Sequence, residues 1–494
     1  MSIFSENSIV LRVVLPIPLR RTFDYLIPEE QNEEGNSLIT PEKGQRVLVP
    51  FGRQTLIGVI IEIDSDSKFE FSKLKPVIKI FEQEQSLDDE LTQLLDWSAS
   101  YFQHPVGEVY NAALPGSLRE NKTIEQLSPV ALFKTGQIPT LFDVANNATQ
   151  MRKLIELLDQ GSQFRAELTG KGVKSATIKK FVDQQWAVWK TPAQTKPEFS
   201  EQDVNNELQL NTEQAIAVSA INQSQQYRCF LLDGITGSGK TEVYLQCIKK
   251  VLLQQKQVLV LVPEIGLTPQ TINRFRQRFN ANVVLWHSGM TDKQRFQTWY
   301  QTRSLQAQII ISTRSGVFLP FKDLGLIVMD EEHDSSFKQT EGFKYHCRSL
   351  ALYRANHLNI PIILGSATPS LETLVNAQSG KYHHLELRHR AAGSQLPEMR
   401  LLDLNRCQIN AGLGHPLLEQ IAAKLKANQQ VMLFINRRGF APVLMCEECH
   451  WLTDCHRCSS YMTFHKGLNR LICHHCGNQQ MTVRQCGGCG STRI

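Results

Sequence analysis

Three sets of residues in this chain have types and spacings that could do chemistry. The first is Gly234-Ile235-Thr236-Gly237-Ser238-Gly239-Lys240-Thr241, a GxxxxGKT string between the apolar run Cys229–Leu232 and the helix-like Glu242–Leu245. Strand, glycine loop and helix start in that order make a phosphate cradle. The glycines let backbone N–H groups close on a polyphosphate, and the helix N-terminus adds partial positive charge. Lys240 suits the β- and γ-phosphates and Thr241 suits Mg²⁺, so the string points to a nucleoside triphosphate. The second set is Asp330-Glu331-Glu332-His333, which follows the apolar run Leu326–Met329. A carboxylate at a strand end near a phosphate loop can hold the metal, here Asp330, and its neighbour Glu331 can orient the attacking water.

The third set is four CxxC pairs, Cys446/Cys449, Cys455/Cys458, Cys473/Cys476 and Cys486/Cys489. Four thiolate pairs suffice for two closed tetrahedral zinc sites, structural because no position is left for water. Disulfides fit poorly with a reducing compartment, and an iron–sulfur cluster is the alternative. Spacing alone leaves the pairing open.

Softer signals surround these. Gln214, in Leu210–Gln214, carries an amide able to read an adenine edge, and Gly365-Ser366-Ala367-Thr368-Pro369 offers small hydroxyls at a strand end. Pro263–Thr268, His287–Gly289 and Ser312–Ser315, with Arg314, lie at further strand ends where a nucleic-acid backbone could run. Phe23-Asp24 sets an aromatic beside a carboxylate, which spacing alone reads as a core ring with a polar neighbour.

The elements that must position these groups are legible in outline. Strand-like runs at 8–17, 45–49 and 56–63, with a turn at Pro50–Arg53, describe a small β-rich domain, and a helical pattern covers Leu87–Tyr101. Helical periodicity at Met151–Leu158, Phe164–Leu168 and Ser175–Gln185, then a strand at Trp186–Trp189, reads as a winged helix. Its Lys171, Lys174, Lys179 and Lys180 face either phosphates or solvent. After a polar linker, apolar runs at Cys229–Leu232, Val258–Val262, Val283–Leu285, Ile309–Ser312, Leu326–Met329 and Ile360–Leu364 alternate with helical segments. Such continuous runs mark a parallel sheet buried on both faces, with ligand loops at the strands' carboxyl ends.

A length of 494 residues implies about three or four domains, and 41% hydrophobic content is ordinarily globular. Without a signal-peptide core or a membrane-length apolar run, a soluble cytoplasmic protein is expected. The net charge of +5 permits a nucleic-acid partner without arguing for one.

The ordered set GITGSGKTEVY, LVPEIGLTPQ, WHSG, STRSGVFLPF, DEEHD, GSATPS and NRRGF resembles a superfamily 2 helicase. More narrowly, the chain resembles the primosomal protein N′ (PriA) family of bacterial replication-restart helicases, over nearly its whole length. The resemblance implies an α/β fold: a β-rich 3′-end DNA-binding domain at 1–115, a winged-helix domain at 116–190, and a linker at 191–207. A RecA-like ATP-binding helicase lobe with a parallel sheet follows at 208–395, then the start of a second lobe at 396–445 and a two-zinc module at 446–494. It implies a 3′→5′ DNA-unwinding ATPase that recognises abandoned forks and D-loops and starts primosome assembly. The implied partners are branched and single-stranded DNA, single-stranded DNA-binding protein, other primosome proteins and the replicative-helicase loading machinery.

Carried over residue by residue, the resemblance makes Phe23, Asp24, Gly52 and Lys75 a pocket for a nascent 3′ end. It also makes 335–345, with Phe337, Phe343 and Tyr345, a DNA-contacting aromatic-rich loop that couples DNA binding to ATP hydrolysis, with plain hinge packing as the alternative. Phe343 stands where a Trp is usual, a change expected to weaken stacking. It implies nested zinc ligation, Cys446, Cys449, Cys486 and Cys489 on one ion and Cys455, Cys458, Cys473 and Cys476 on the other. The family continues past Ile494 into the rest of the second lobe. The expectation is therefore a chain that binds ATP and DNA but hydrolyses poorly, and the alternative is a non-hydrolysing fork-recognition scaffold.

Overall fold

The structure, a computed structural model, describes residues 9–27, 40–81, 86–128, 130–141, 143–191, 196–263, 269–391, 398–410, 412–434, 443–458, 460–474 and 476–494. The motif residues Glu264–Thr268 and Asn436–Phe440, and His475, lie outside them. The chain divides into two compact units, residues 1–395 and 396–494.

The first unit begins with strands β1 (Val10–Val14), β2 (Phe23–Leu26), β3 (Arg46–Phe51) and β4 (Gln54–Asp64) and the short β5 (Lys75–Pro76) and β6 (Lys79–Ile80). They form one sheet in the order β5-β2-β1-β4-β3-β6. β3 and β4 make a hairpin in which Phe51 pairs with Gln54, so the chain reverses over Gly52-Arg53. Gly52 sits at φ +61, the left-handed conformation that so tight a turn demands. Helix α1 (Asp89–Tyr101) starts where the Asp88 carboxylate accepts from the Leu91 N–H, and α2 (Val106–Ala112) follows. The buried Leu91, Leu94 and Leu95 of α1 share one hydrophobic core with Leu259, Ile310 and Ile327 of the next sheet. The N-terminal part is thus seated on the nucleotide lobe by its own helices.

Next come α3 (Ile124–Leu127), β7 (Ala131–Lys134), α4 (Thr149–Asp159), β8 (Gln163–Phe164), α5 (Arg165–Gly170), α6 (Ser175–Asp183) and β9 (Ala187–Lys190). The three expected helices are there, but the strand after them does not pair with a following one as in a winged helix. β9 pairs antiparallel with β7, which precedes the helices, and β8 adds to β7's other edge. The run Trp186–Trp189 needed a hydrogen-bonding partner and found it upstream. Lys171, Lys174, Lys179 and Lys180 are all exposed.

The nucleotide lobe runs α7 (Thr212–Gln223), β10 (Cys229–Gly234), α8 (Lys240–Leu253), β11 (Gln257–Leu261), α9 (Pro269–Arg278), β12 (Val283–Trp286) and α10 (Asp292–Arg303). It continues with β13 (Ile309–Ser312), β14 (Leu324–Met329), α11 (Cys347–His357), β15 (Ile362–Ser366), α12 (Leu371–Gln378) and β16 (His383–Leu387). The seven strands form a wholly parallel sheet ordered β12-β13-β11-β14-β15-β10-β16. Leu259, Ile310 and Ile327 point into one core, and Phe230, Val258 and Val328 into another on the opposite face, so both faces are buried. The seventh strand, β16, escaped the sequence reading because His383-His384-Leu385-Glu386-Leu387 alternates polar and apolar residues as an edge strand does.

The second unit holds the hairpin β17 (Ile409–Asn410) and β18 (Leu413–Gly414), helix α13 (His415–Lys426), and a small sheet of β19 (Thr463–His465), β20 (Arg470–Ile472) and β21 (Gln479–Met481). Its core is slight: Met462 and Leu471 beside Cys455 and Cys473.

Candidate nucleotide site and nucleic-acid interface

The loop between β10 and α8 is shaped by positions that exclude side chains. Gly237 and Gly239 take φ +84 and +81. A Cβ on Gly234 would lie 2.6 Å from Ser238 Oγ, and one on Gly239 would lie 2.4 Å from Gln214 Nε2. At Gly237 and Gly239 the backbone conformation, and at Gly234 and Gly239 the close side chains, leave no room for another residue, and the loop so formed is the kind that cradles a polyphosphate. Lys240 opens α8, and its Nζ donates to the Gly234 carbonyl at 2.8 Å.

Gln214 is buried. Its Nε2 donates to the Ser238 carbonyl at 2.8 Å and its Oε1 accepts from the Asn211 N–H at 3.0 Å. In this structure the amide that was expected at an adenine edge instead braces the phosphate loop from behind.

Asp330 leaves the carboxyl end of β14, two strands away from β10, and meets the loop in one cleft of 780 Å³ lined by residues 235–242, Arg274, Gln277, Arg278, Asp330 and Glu331. Lys240 and Asp330 thus lie on the same side of the sheet. Burial pushes the Asp330 carboxyl above its ordinary range. The adjacent Glu331 charge adds to the rise, while Tyr244 and Lys240 oppose it. The Tyr244 hydroxyl donates to Asp330 Oδ1 at 3.0 Å. It gets there only because position 365 is glycine, where a Cβ would stand 1.6 Å from that hydroxyl. Neither Tyr244 nor Gly365 was marked for this role by sequence. The available signal was Tyr244's place one helical turn after Lys240.

Glu331 adopts φ +48, a left-handed backbone that costs a non-glycine residue about 1 kcal/mol or more. Glu332 turns inward, and the His333 ring nitrogen Nδ1 meets Ser366 Oγ at 2.7 Å, so the acid turn and the Gly365–Pro369 stretch are hydrogen-bonded together. In the wall of the cleft, Arg278 Nη1 and Nη2 donate to Glu242 Oε1 and Oε2 at 2.8 and 2.6 Å, a buried two-pronged pair tying α9 to the start of α8.

In the N-terminal sheet, the Phe23 ring meets Phe51, next to Gly52, edge-on at 5.5 Å, and the Arg21 guanidinium lies over it at 4.9 Å. Asp24 Oδ2 accepts from Ser67 Oγ at 2.6 Å, with Arg12 Nε 3.4 Å from Oδ1. Lys75 is exposed on β5, in register with Tyr25 of β2. Arg12, Arg21 and Ser67 are further members of this corner that sequence reasoning did not pick out.

The aromatic loop departs from expectation. Phe337, Phe343 and Tyr345 are 1%, 8% and 7% exposed, so in this structure they offer no open face to a stacking base. Phe343 and Tyr345 pack on each other and on Phe318, Phe337 lies in the same hydrophobic core, and Phe102 and His104 just beyond α1 meet Phe343. Apolar rings next to an incompletely closed core gain more by filling it than by lying in water. The loop's exposed cations are Lys338 and Lys344, and Arg314 donates inward to the Ser336 carbonyl at 2.9 Å.

The eight thiols gather as the nested pairing requires. Cys446 and Cys489 approach to 3.6 Å and Cys449 and Cys486 to 3.4 Å; Cys455–Cys476 and Cys458–Cys473 both stand at 3.5 Å. Sulfurs about 2.3 Å from a shared zinc would sit at about that separation, so each tetrad fits one tetrahedral ion.

A paired acid and a phosphate loop sharing one cleft on a parallel sheet define a nucleotide-dependent lobe of the helicase class. The DEAD/DEAH box helicase family profile matches residues 211–377. A 3′ DNA-binding domain profile matches 12–115, and a profile for the Cys-rich region of PriA DNA helicase matches 455–480. The Replication restart protein PriA of Haemophilus influenzae is 40% identical over 98% of this chain and 66% of that protein; the one of Bacillus subtilis is 32% identical over 96% and 67%. The chain belongs to the PriA replication restart family. It spans 62 to 67% of the length of these relatives and that of Rickettsia conorii. Among the described residues, no helix is long and apolar enough to cross a membrane.

Proposed function

We propose that the chain is the nucleotide-binding and fork-recognising part of an ATP-dependent 3′→5′ DNA helicase that engages abandoned forks and D-loops and starts primosome assembly. The observation that carries this reading is the cleft in which Lys240 and Asp330 face one another. When bound with Mg²⁺, the nucleotide supplies the free energy of phosphoryl transfer to water. The glycine cradle and Lys240 bind and orient the phosphates, Thr241 and Asp330 hold the metal, and Glu331 orients the water. Phe23 stacks the terminal base of a nascent 3′ end, Asp24 accepts its hydroxyl, and Gly52 and Lys75 accommodate phosphate. Residues 116–190 act as a winged-helix variant with its exposed lysines toward duplex phosphates. The two cysteine tetrads hold structural zinc, and the partners are those of replication restart: single-stranded DNA-binding protein, primosome proteins and the helicase-loading machinery.

The test is binding to forked DNA with a leading-strand 3′ end at the junction, against the same fork with that end phosphorylated or set back. Preference for the free 3′ hydroxyl, reduced by Asp24→Ala, is expected. Equal affinity for all three forks would remove the pocket from the reading. DNA-stimulated phosphate release, measured in parallel, separates a motor from a non-hydrolysing scaffold.

A further inference from the structure

Four residues lining the nucleotide cleft have no part in the mechanism above: Asn206 and Leu208, just ahead of α7, and Arg274 and Gln277 on α9. At 780 Å³ the cleft has the volume of a site for a whole small molecule, more than a chain of phosphates fills. Gln214 does not serve the remainder. Both ends of its amide are engaged inside the protein, Nε2 with the Ser238 carbonyl and Oε1 with the Asn211 N–H. The partners of the base therefore have to come from the other residues that line the cleft.

Leu208 is 62% exposed, a large apolar side chain left open on the cleft. A lone exposed leucine means little elsewhere on a surface, but on a ligand cleft it is area that a bound ring covers. Arg274 precedes Arg278 by one helical turn and so shares its face of α9. Arg278 and Glu242 fasten that face to the start of α8, directly after the phosphate loop. Glu242 neutralises Arg278, whereas Arg274 is exposed and, among the described residues, has no carboxylate partner. A guanidinium is planar and weakly hydrated, so it stacks on a flat ring better than an ammonium does. Asn206 and Gln277 each bring an amide, with donors and an acceptor of the kind that meets the edge of a base.

We propose that Arg274 stacks on the nucleobase of the bound nucleotide, with Leu208 against the same ring, so that the cleft prefers a purine. The larger purine face covers more of both side chains than a pyrimidine does. The inference rests on the reading that the glycine cradle and Lys240 hold the phosphates. The experiment uses the whole chain with Mg²⁺ and measures affinity for ADP, CDP and inorganic pyrophosphate by displacement of a ribose-labelled fluorescent ADP. Wild type is expected to bind ADP about fivefold or more tightly than CDP. In Arg274→Ala the affinity for ADP should fall about 3- to 30-fold and the preference over CDP should shrink, while pyrophosphate binds within about twofold of wild type. Arg274→Lys, which keeps the charge but loses the plane, should lose most of the same ADP affinity. A loss of pyrophosphate as large as the loss of ADP makes Arg274 a phosphate contact and overturns the proposal. So does an Arg274→Lys chain that binds ADP as wild type does, or a wild-type chain that binds ADP and CDP equally. A wild-type chain that binds neither ADP nor pyrophosphate instead refutes the nucleotide site beneath it.

Discussion

In the nucleotide lobe the phosphate loop hangs from seven parallel strands with apolar cores on both faces, whereas the module with its eight thiols has as its described core little more than Met462 and Leu471 beside one of the two tetrads. In the lobe, packing and hydrogen bonds of the sheet and its helices set the positions of Lys240, Tyr244 and Asp330. In the module the ligand itself must replace the missing core. The lesson is that the same word, binding site, covers a guest on a finished scaffold in one region and a structural member in the other.

The sharpest way to break that comparison is to remove the metal. Chelation, or Cys473→Ser, is expected to cost the module on the order of 10 kcal/mol of binding-coupled folding energy. Limited proteolysis should then show cleavage throughout 443–494, and with Mg²⁺ restored the nucleotide affinity of residues 1–395 should stay unchanged. A module that still resists proteolysis once its metal is gone would show that the metal does not stand in for a core.

The corresponding injury to the lobe is electrostatic. Arg278→Met strands the buried Glu242 beside the phosphate loop and should lower the lobe's unfolding free energy by about 3–5 kcal/mol in a denaturant titration. Adding Glu242→Gln should recover most of it. A smaller loss would mean that water reaches this pair.

Lys240→Ala asks whether the cradle is really a finished scaffold. Among the described residues Lys240 Nζ donates to the Gly234 carbonyl and its charge favours the ionised Asp330, so the melting temperature should fall only slightly. Nucleotide affinity should fall roughly 10- to 100-fold, the loss of one charge-assisted contact to phosphate, by isothermal titration.

The subtlest test concerns charge at Asp330. Its folded-state pKa is raised by burial and by Glu331, so the neutral form is the one favoured by folding. The stability this contributes is complete below the unfolded carboxyl pKa and is lost as pH rises through the raised folded value. At neutral pH the ionised Asp330 is thus a local cost, and Asp330→Asn should stabilise the nucleotide-free chain by about 0.5–2 kcal/mol. That gain should shrink as pH falls into the carboxylate range, and Mg²⁺-dependent nucleotide affinity should be lost at every pH. A variant less stable than wild type at pH 7 would refute the assignment of the strain.

How much of this was legible beforehand follows from the range of each interaction. The six apolar runs of the parallel sheet could be seen because strands packed on both faces are apolar throughout, as even the edge strand β12 is; β16 could not, because its own residues alternate polar and apolar. The buried rings of Phe337, Phe343 and Tyr345 read as a DNA-stacking loop because an aromatic beside a lysine looks the same in either role. What decided between the roles was the neighbouring helix end carrying Phe102 and His104, more than two hundred residues upstream.

By itself the amino-acid sequence determined which chemistries the chain can carry: a lysine in a glycine cradle, a pair of acids after an apolar strand, and four thiol pairs. These are local patterns, set by backbone freedom and by the valence of the ligands. Only the tertiary structure decided which groups meet. The placement of β10 and β14 two strands apart in one parallel sheet brings Lys240 and Asp330 to one cleft, a missing side chain at Gly365 lets Tyr244 reach that acid, and the folding of the module selects one nested set of thiol partners among several that spacing allows. The physical reason is that contact between residues far apart in sequence depends on how the intervening chain packs, which no local spacing encodes.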